Sequence, residues 1–304
     1  MEAEQIARSI ARSMNLNEDL AEVLALSHDL GHTPFGHSGE DALREAMKGS
    51  GERFEHNEQG LRVVELLEQR YPGFPGLNLT WITRESLRKH SVKPDAPVEA
   101  EYRPEWAPLL ECQVVDIADS IAYDAHDIDD GVKAGLLDVR ALDDVEIWRE
   151  AVARARKRGC SDGEILIKQA VLTIINMEVS DLMENSEGLL KKLNIRSVDD
   201  IRAARQRLID FSSDMGRKKN DLQGFLRKMV YRHYRVTRMA EKAKRFITEL
   251  FQAYVGNREQ LPPHFQAWAE KVGIYRAAAD YIAGMTDRYA QDEYKKLFYP
   301  FERV

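Results

Sequence analysis

Cysteine is nearly absent from this chain: 304 residues hold two, Cys112 and Cys160, far apart in sequence. Neither belongs to a CxxC pair or another zinc-type spacing, so the plain reading is two free thiols in a reducing cytoplasm. Long apolar runs are missing as well. None approaches the roughly 20 residues that cross a bilayer, and the opening MEAEQIARSIARSMN carries no apolar stretch of the signal-peptide kind. A cytoplasmic protein without membrane attachment is expected. Long alternating β-branched runs are also lacking, which argues against a sheet of any size.

What is present is helical periodicity, in a composition 43% hydrophobic and 31% charged that supplies both a core and a solvated surface. Ile6, Ile10 and Met14 fall four apart, with alanines on the same face. Asn17 is placed to cap a second helix, with Glu18 and Asp19 in its first turn and Gly31 as a stop. Further helices are predicted over 36–48, 56–71, 81–90, 106–131, 141–157, 163–190, 198–212, 219–255, 264–269 and 273–297. The segments 71–78 and 91–106 read as loops. With no repeat, low-complexity tract or linker, one all-α domain spanning 1–304 is expected.

The net charge of −7 hides an asymmetry: residues 201–245 carry fourteen Lys and Arg against four Asp and Glu, +10 locally, leaving −17 for the rest. Such a segment suits an anion, either phosphate or nucleic acid. A solvated helix face with intrahelical pairs is the plain alternative.

Two clusters carry chemistry. In LALSHDLGHTPFGHSGE, residues 24–40, three of the eight histidines crowd together with Asp29 and Glu40. His28 and Asp29 are adjacent where a helix is about to end, the geometry at which neighbouring side chains can converge on one ion. Imidazole nitrogen and carboxylate oxygen make a mixed donor set for manganese, iron, magnesium or zinc. His37 and Glu40, three apart, can serve as proton donor or acceptor beside an activated water. In VVDIADSIAYDAHDIDDGV, residues 114–132, Asp119, Tyr123 and Asp127 form an i, i+4, i+8 stripe beside the apolar face of Ile117 and Ile121. Carboxylates on a partly buried helix need a cation or a donor. An exposed acidic face is the alternative.

Together with FEHNEQGLRVVE, RYPGFPGLNLTW and the late YIAGMTDRYA, these segments resemble the HD-domain phosphohydrolases. More narrowly, they resemble the bacterial deoxyguanosine triphosphate triphosphohydrolase family, from residue 1 to about 298. The resemblance implies an HD-type helical bundle with additional C-terminal helices. Residues 1–135 would be the metal and catalytic core, and 136–304 an extension completing the nucleotide pocket and the oligomer contacts. It implies a divalent metal on the dyad His28 and Asp29 and on Asp119. Tyr123 and Asp127 are implied to contact substrate phosphate and sugar, His37 with Glu40 to be the catalytic pair, and His32 and His56 to line the same pocket. Asn78, Lys89, Arg232 and Arg235 are implied to approach phosphates.

The implied reaction is hydrolysis of a deoxynucleoside triphosphate to deoxynucleoside and tripolyphosphate. Homo-oligomers, often hexamers, and activation by nucleotides at a second site also belong to the family. One departure accompanies the match. The family's first metal histidine lies in a segment like RTHSLEVAQIAR, and Met1 of MEAEQIAR aligns just after it. A shortened chain, a start at an internal methionine and a metal-impaired protein are the three readings of that departure. The rival functions are an HD phosphohydrolase acting on another nucleotide, a non-catalytic nucleotide-binding regulator, and a helical nucleic-acid-binding protein.

Overall fold

The structure, a computed structural model, describes residues 1–91 and 98–302. Among these the chain is all-α: the one β-type contact is an isolated bridge between Gln69 and Gly76. The helices are α1 (Glu2–Ser13), α2 (Glu18–Ser27), α3 (Gly36–Met47), α4 (His56–Arg62), α5 (Trp81–Lys89), α6 (Leu110–Lys133), α7 (Glu146–Lys157), α8 (Glu164–Lys192), α9 (Val198–Arg202), α10 (Ser213–Leu226), α11 (Tyr234–Gly256), α12 (Pro263–Val272), α13 (Ile274–Ala283) and α14 (Asp287–Phe298). No helix among the described residues is long and apolar enough to cross a membrane. The chain sorts into two compact units, one of Met1–Leu26 with Glu85–Val236, the other of Ser27–Arg84 with Thr237–Val304.

Most predicted helices are present, and three depart furthest from their predicted bounds. The helix predicted over 198–212 ends at Arg202. Beyond it the backbone finds side-chain partners instead of helical ones: Leu208 and Ile209 N–H donate to Gln113 Oε1 at 2.8 and 3.2 Å, and Asp210 N–H to Ser186 Oγ at 3.1 Å. The helix predicted over 219–255 is two. α10 starts earlier, at the cap where Ser212 Oγ accepts from Met215 N–H, and passes through a π-helical turn, Arg227–Tyr231, before α11 begins. The helix predicted over 273–297 breaks after Ala283, where Thr286 Oγ1 accepts from Tyr289 N–H and starts α14. Competition from Ser and Thr side chains for backbone donors is what stops and restarts these helices.

In the first unit α1 packs on α6, and α7 on α8. Its core gathers Ile128, Leu142, Ile147, Trp148, Ile174, Leu222 and Leu226, each 1% exposed or less. The second unit closes over Leu43, Met47, Phe54, Ile247, Leu250, Phe251 and Ile282. Full burial of one such side chain stabilises by about 1.5–3 kcal/mol. These two cores are what hold polar side chains in fixed places.

One such place lies inside the first unit. The Lys219 ammonium of α10 sits against Asp124 of α6, donates to Glu178 Oε1 of α8 at 3.2 Å and to the Ser120 carbonyl at 3.3 Å. Gln223 donates to Asp124 Oδ2 at 3.1 Å. Two buried carboxylates thus share one ammonium. Burial pushes the Glu178 carboxyl up to about 7, with Asp124 adding to the rise and Lys219 opposing it. A carboxyl whose folded pKa is raised costs stability as pH rises from its unfolded value, 4.5, through about 7. Glu178→Gln is therefore expected to gain on the parent between about pH 5 and 8 in urea unfolding. A stability difference that does not change with pH contradicts this reading.

Candidate active site

In the second unit, α2 gives way after Ser27 to the segment that carries the histidines. His28 is buried and Asp29 exposed, with His28 Nε2 3.2 Å from Asp29 Oδ2. His32 Nε2 lies 3.4 Å from Asp29 Oδ1, so one carboxylate stands beside two imidazoles. Gly31 makes this possible. A Cβ there would meet the His56 carbonyl oxygen at 1.9 Å and the Gly60 nitrogen at 2.3 Å, so only glycine lets the start of α4 press on this turn. The His56 ring then stacks on His32, centroids 4.2 Å apart and planes 9° from parallel.

Glu40, on α3, is 2% exposed and holds His56 twice: its carboxylate is 3.1 Å from Nδ1, and Oε1 accepts from the His56 N–H at 3.2 Å. Arg44, one turn on, donates to the same carboxylate at 2.6 Å. Burial pushes this carboxyl up, but the hydrogen bond and charge of His56 and the charge of Arg44 outweigh it and hold it at about 2. His32 is shifted the other way. Burial, then the neighbouring His56, lowers its pKa, so it is held neutral. His37, also on α3, is exposed, its ring 5.6 Å from that of His32. Glu40 meets His56 and Arg44, while His37, expected as its partner, stands exposed on the first turn of α3.

In the first unit, α6 carries Asp119, Tyr123 and Asp127 on one stripe, as the spacing predicts. Tyr231, from the π-helical turn after α10, donates to Asp127 Oδ2 at 2.6 Å and lays its ring 6.3 Å from Tyr123, 9° from parallel. Burial raises the pKa of Tyr123, Asp127 and Tyr231 alike. His90, just beyond α5, brings a ligand atom within 4.8 Å of an Asp119 oxygen.

Four residues expected to approach phosphates fare differently. Lys89 is committed elsewhere: its ammonium donates to Glu85 Oε1 and to the Arg103 and Trp106 carbonyls, each at 2.8 Å, which uses all three of its donors. Asn78 is an exposed loop residue with a left-handed backbone, φ 55°. Arg232 and Arg235 are exposed where α10 hands over to α11. Part of the basic segment is structural. Arg202, Arg207, Arg217, Lys218 and Lys219 pair with Glu85, Asp116, Glu146, Glu150 and Asp124. Sequence reasoning missed Tyr231, Arg44 and His90, whose partners lie too far along the chain or on an unassigned face.

Donor chemistry separates two kinds of cluster. His32, Glu40 and His56 bring three ligand atoms within 4.8 Å of one another. The guanidinium of Arg44 already meets Glu40 there and offsets its charge. His28 with Asp29, and His90 with Asp119, each offer nitrogen beside carboxylate oxygen, which fits a divalent cation of the first transition row or magnesium.

An all-helical fold that carries a His-Asp pair is the pattern of the HD class of phosphohydrolases. The model of the HD domain matches residues 1–124, and that of the phosphohydrolase-associated domain residues 209–296. A deoxyguanosinetriphosphate triphosphohydrolase-like protein of Geobacter metallireducens is 46% identical over 309 residues, covering 100% of this chain and 80% of the relative. Proteins with the same description from Geobacter sulfurreducens and an Azoarcus species are 44% and 45% identical, covering 100% and 98% of this chain and 80% and 79% of each relative. The chain belongs to the deoxyguanosinetriphosphate triphosphohydrolase-like family of HD-domain proteins, and a phosphohydrolase role follows from that membership.

Because the folded pKa of Glu40 is depressed, its contribution is present above 4.5 and is lost as pH falls through about 2. Glu40→Gln is expected to lower stability at neutral pH by about 1–3 kcal/mol, since a buried donor set loses its acceptor. The loss should shrink in acid. Urea unfolding at about pH 7 and pH 3 checks it, and a variant as stable as the parent at neutral pH contradicts the role given to Glu40.

Proposed function

We propose that this chain hydrolyses deoxynucleoside triphosphates to deoxynucleoside and tripolyphosphate, with a divalent cation held by His28, Asp29 and Asp119. The observation that carries the reading is the histidine cluster around Glu40. A carboxylate ionised at every physiological pH fixes His56 against a neutral His32 and leaves the exposed His37 beside them. That is an arrangement for moving one proton in a phosphoryl transfer. The family names support the substrate class.

A divalent cation, when bound, supplies Lewis-acid stabilisation of charge on the α-phosphate and lowers the pKa of a water. The residues of this chain do the rest. His37 carries a proton between the attacking water and the departing 5′-oxygen, with His32 and His56 as the wall that keeps its surroundings ordered. Water oxygen bonds to the α-phosphorus, the bond from phosphorus to the 5′-oxygen breaks, and the 5′-oxygen leaves protonated as the deoxynucleoside hydroxyl. Tyr123, backed by Tyr231, and Asp127 are the contacts for sugar and phosphate. Arg232 and Arg235, exposed and outside the structural ion pairs, meet the triphosphate oxygens as charge-assisted donors. Lys89 is left out of this role.

Incubation with Mn²⁺ and each of the four deoxynucleoside triphosphates, followed by phosphorus NMR, is the test. Deoxynucleoside and tripolyphosphate are the expected products. Diphosphate plus orthophosphate, or binding without turnover, overturns the proposal in favour of another nucleotide chemistry or of a regulator. His28→Ala should lose more activity than the roughly 10–100-fold that follows loss of an outer-shell partner. Turnover at the parental rate in that variant removes His28 from the metal site.

A further inference from the structure

The end of α5 is fixed with unusual care for a surface turn. Glu85 accepts from both Arg202 Nη atoms, at 2.7 and 2.5 Å, and from Lys89 at 2.8 Å. The Arg202 guanidinium lies 5.3 Å from the centre of the Trp106 ring. This buried clasp holds the last turn of α5, so His90, the next residue, leaves the helix at a set position. Ser91 then takes a left-handed conformation, φ 49°, and turns its N–H onto Asp116 Oδ1 at 3.0 Å. Arg207 donates to the other oxygen, Oδ2, at 2.6 Å. His90 Nδ1 stands 2.6 Å from Asp116 Oδ1, and the imidazole is 5% exposed.

Asp116 and Asp119 are three residues apart on α6 and share a face. The buried imidazole of His90 therefore lies between two carboxylates: 2.6 Å from one, and within 4.8 Å of the other. Asp116 is already met by a guanidinium and a backbone N–H, so it does not need His90 to offset its charge. The arrangement instead matches the carboxylate–histidine–metal relay, in which an outer carboxylate takes one ring N–H and turns the other nitrogen toward a cation.

We propose that His90 is a further ligand of the divalent cation, beside Asp119, and that Asp116 is the positioning residue that orients it, itself held by Arg207 and Ser91. This rests on the reading of Asp119 as a metal ligand given above. Asp116 faces His90 Nδ1 at 2.6 Å, and the Ser91 hydroxyl lies 3.5 Å from Nε2.

Binding of Mn²⁺ to the full chain by calorimetry, together with the visible spectrum of the Co²⁺ form, tests this without recourse to turnover. His90→Ala is expected to weaken Mn²⁺ at least 10-fold and to change the Co²⁺ bands, and Asp116→Asn to weaken it about 10–100-fold. His90→Asn keeps a polar side chain against Asp116. It should unfold in urea at the parental midpoint yet show the same metal defect, whereas a merely structural histidine would be rescued in both. Parental Mn²⁺ affinity and an unaltered Co²⁺ spectrum in His90→Ala and His90→Asn overturn the proposal, with the function above intact if the parent loads metal and turns over. A parent that binds no Mn²⁺ at all removes the metal reading itself, and this proposal with it.

Discussion

A carboxylate taken out of water must meet a cation or a set of donors, or it stays protonated. That constraint shapes this acid-rich chain more than any other. Among the described residues Glu40, Glu85, Asp116, Asp124, Glu178 and Asp280 are all buried. Arg44 and His56 meet the first, Arg202 and Lys89 the second, Arg207 and His90 the third. Asp124 and Glu178 divide Lys219. Asp280 takes two bonds from Arg62, at 3.0 and 2.5 Å, and a third from the Trp268 indole at 2.8 Å. Breaking such a pair by removing one partner costs far more than the pair itself contributes, about 3–5 kcal/mol. Each therefore specifies where two distant segments meet, and three of them border residues assigned to chemistry.

That pattern also accounts for part of the basic segment. Fourteen positive charges in 45 residues look like an anion site when only the sequence is in view. Five of them turn out to be partners for acids that lie 68 to 117 residues earlier in the chain. Periodicity reports which residues share a helix face, but not which distant carboxylate that face will meet. Lys89 shows the same limit: its commitment to the Arg103 and Trp106 carbonyls was not legible.

The stripe Asp119, Tyr123, Asp127 was legible because it lies within one helix, where 3.6 residues per turn fixes the geometry. The crowding of His28, Asp29, His32 and His37 was legible because local density survives folding. The partner of Glu40 was not, because His56 arrives from a separate helix at a contact that depends on Gly31 having no side chain. His90 was passed over for a related reason. Its meaning comes from Asp116, 26 residues on, and from a left-handed Ser91 that no spacing rule announces. Helix boundaries failed where Ser186, Ser212 and Thr286 drew backbone donors away from the helix.

The central claim is that water attacks the α-phosphorus of a deoxynucleoside triphosphate. Turnover in water enriched in oxygen-18, with mass spectrometry of both products, tests it most directly. The account predicts the heavy oxygen in tripolyphosphate and none in the deoxynucleoside. Label in the deoxynucleoside 5′-hydroxyl would place the attack on carbon, and label in orthophosphate would place it on the γ-phosphorus; either contradicts the account.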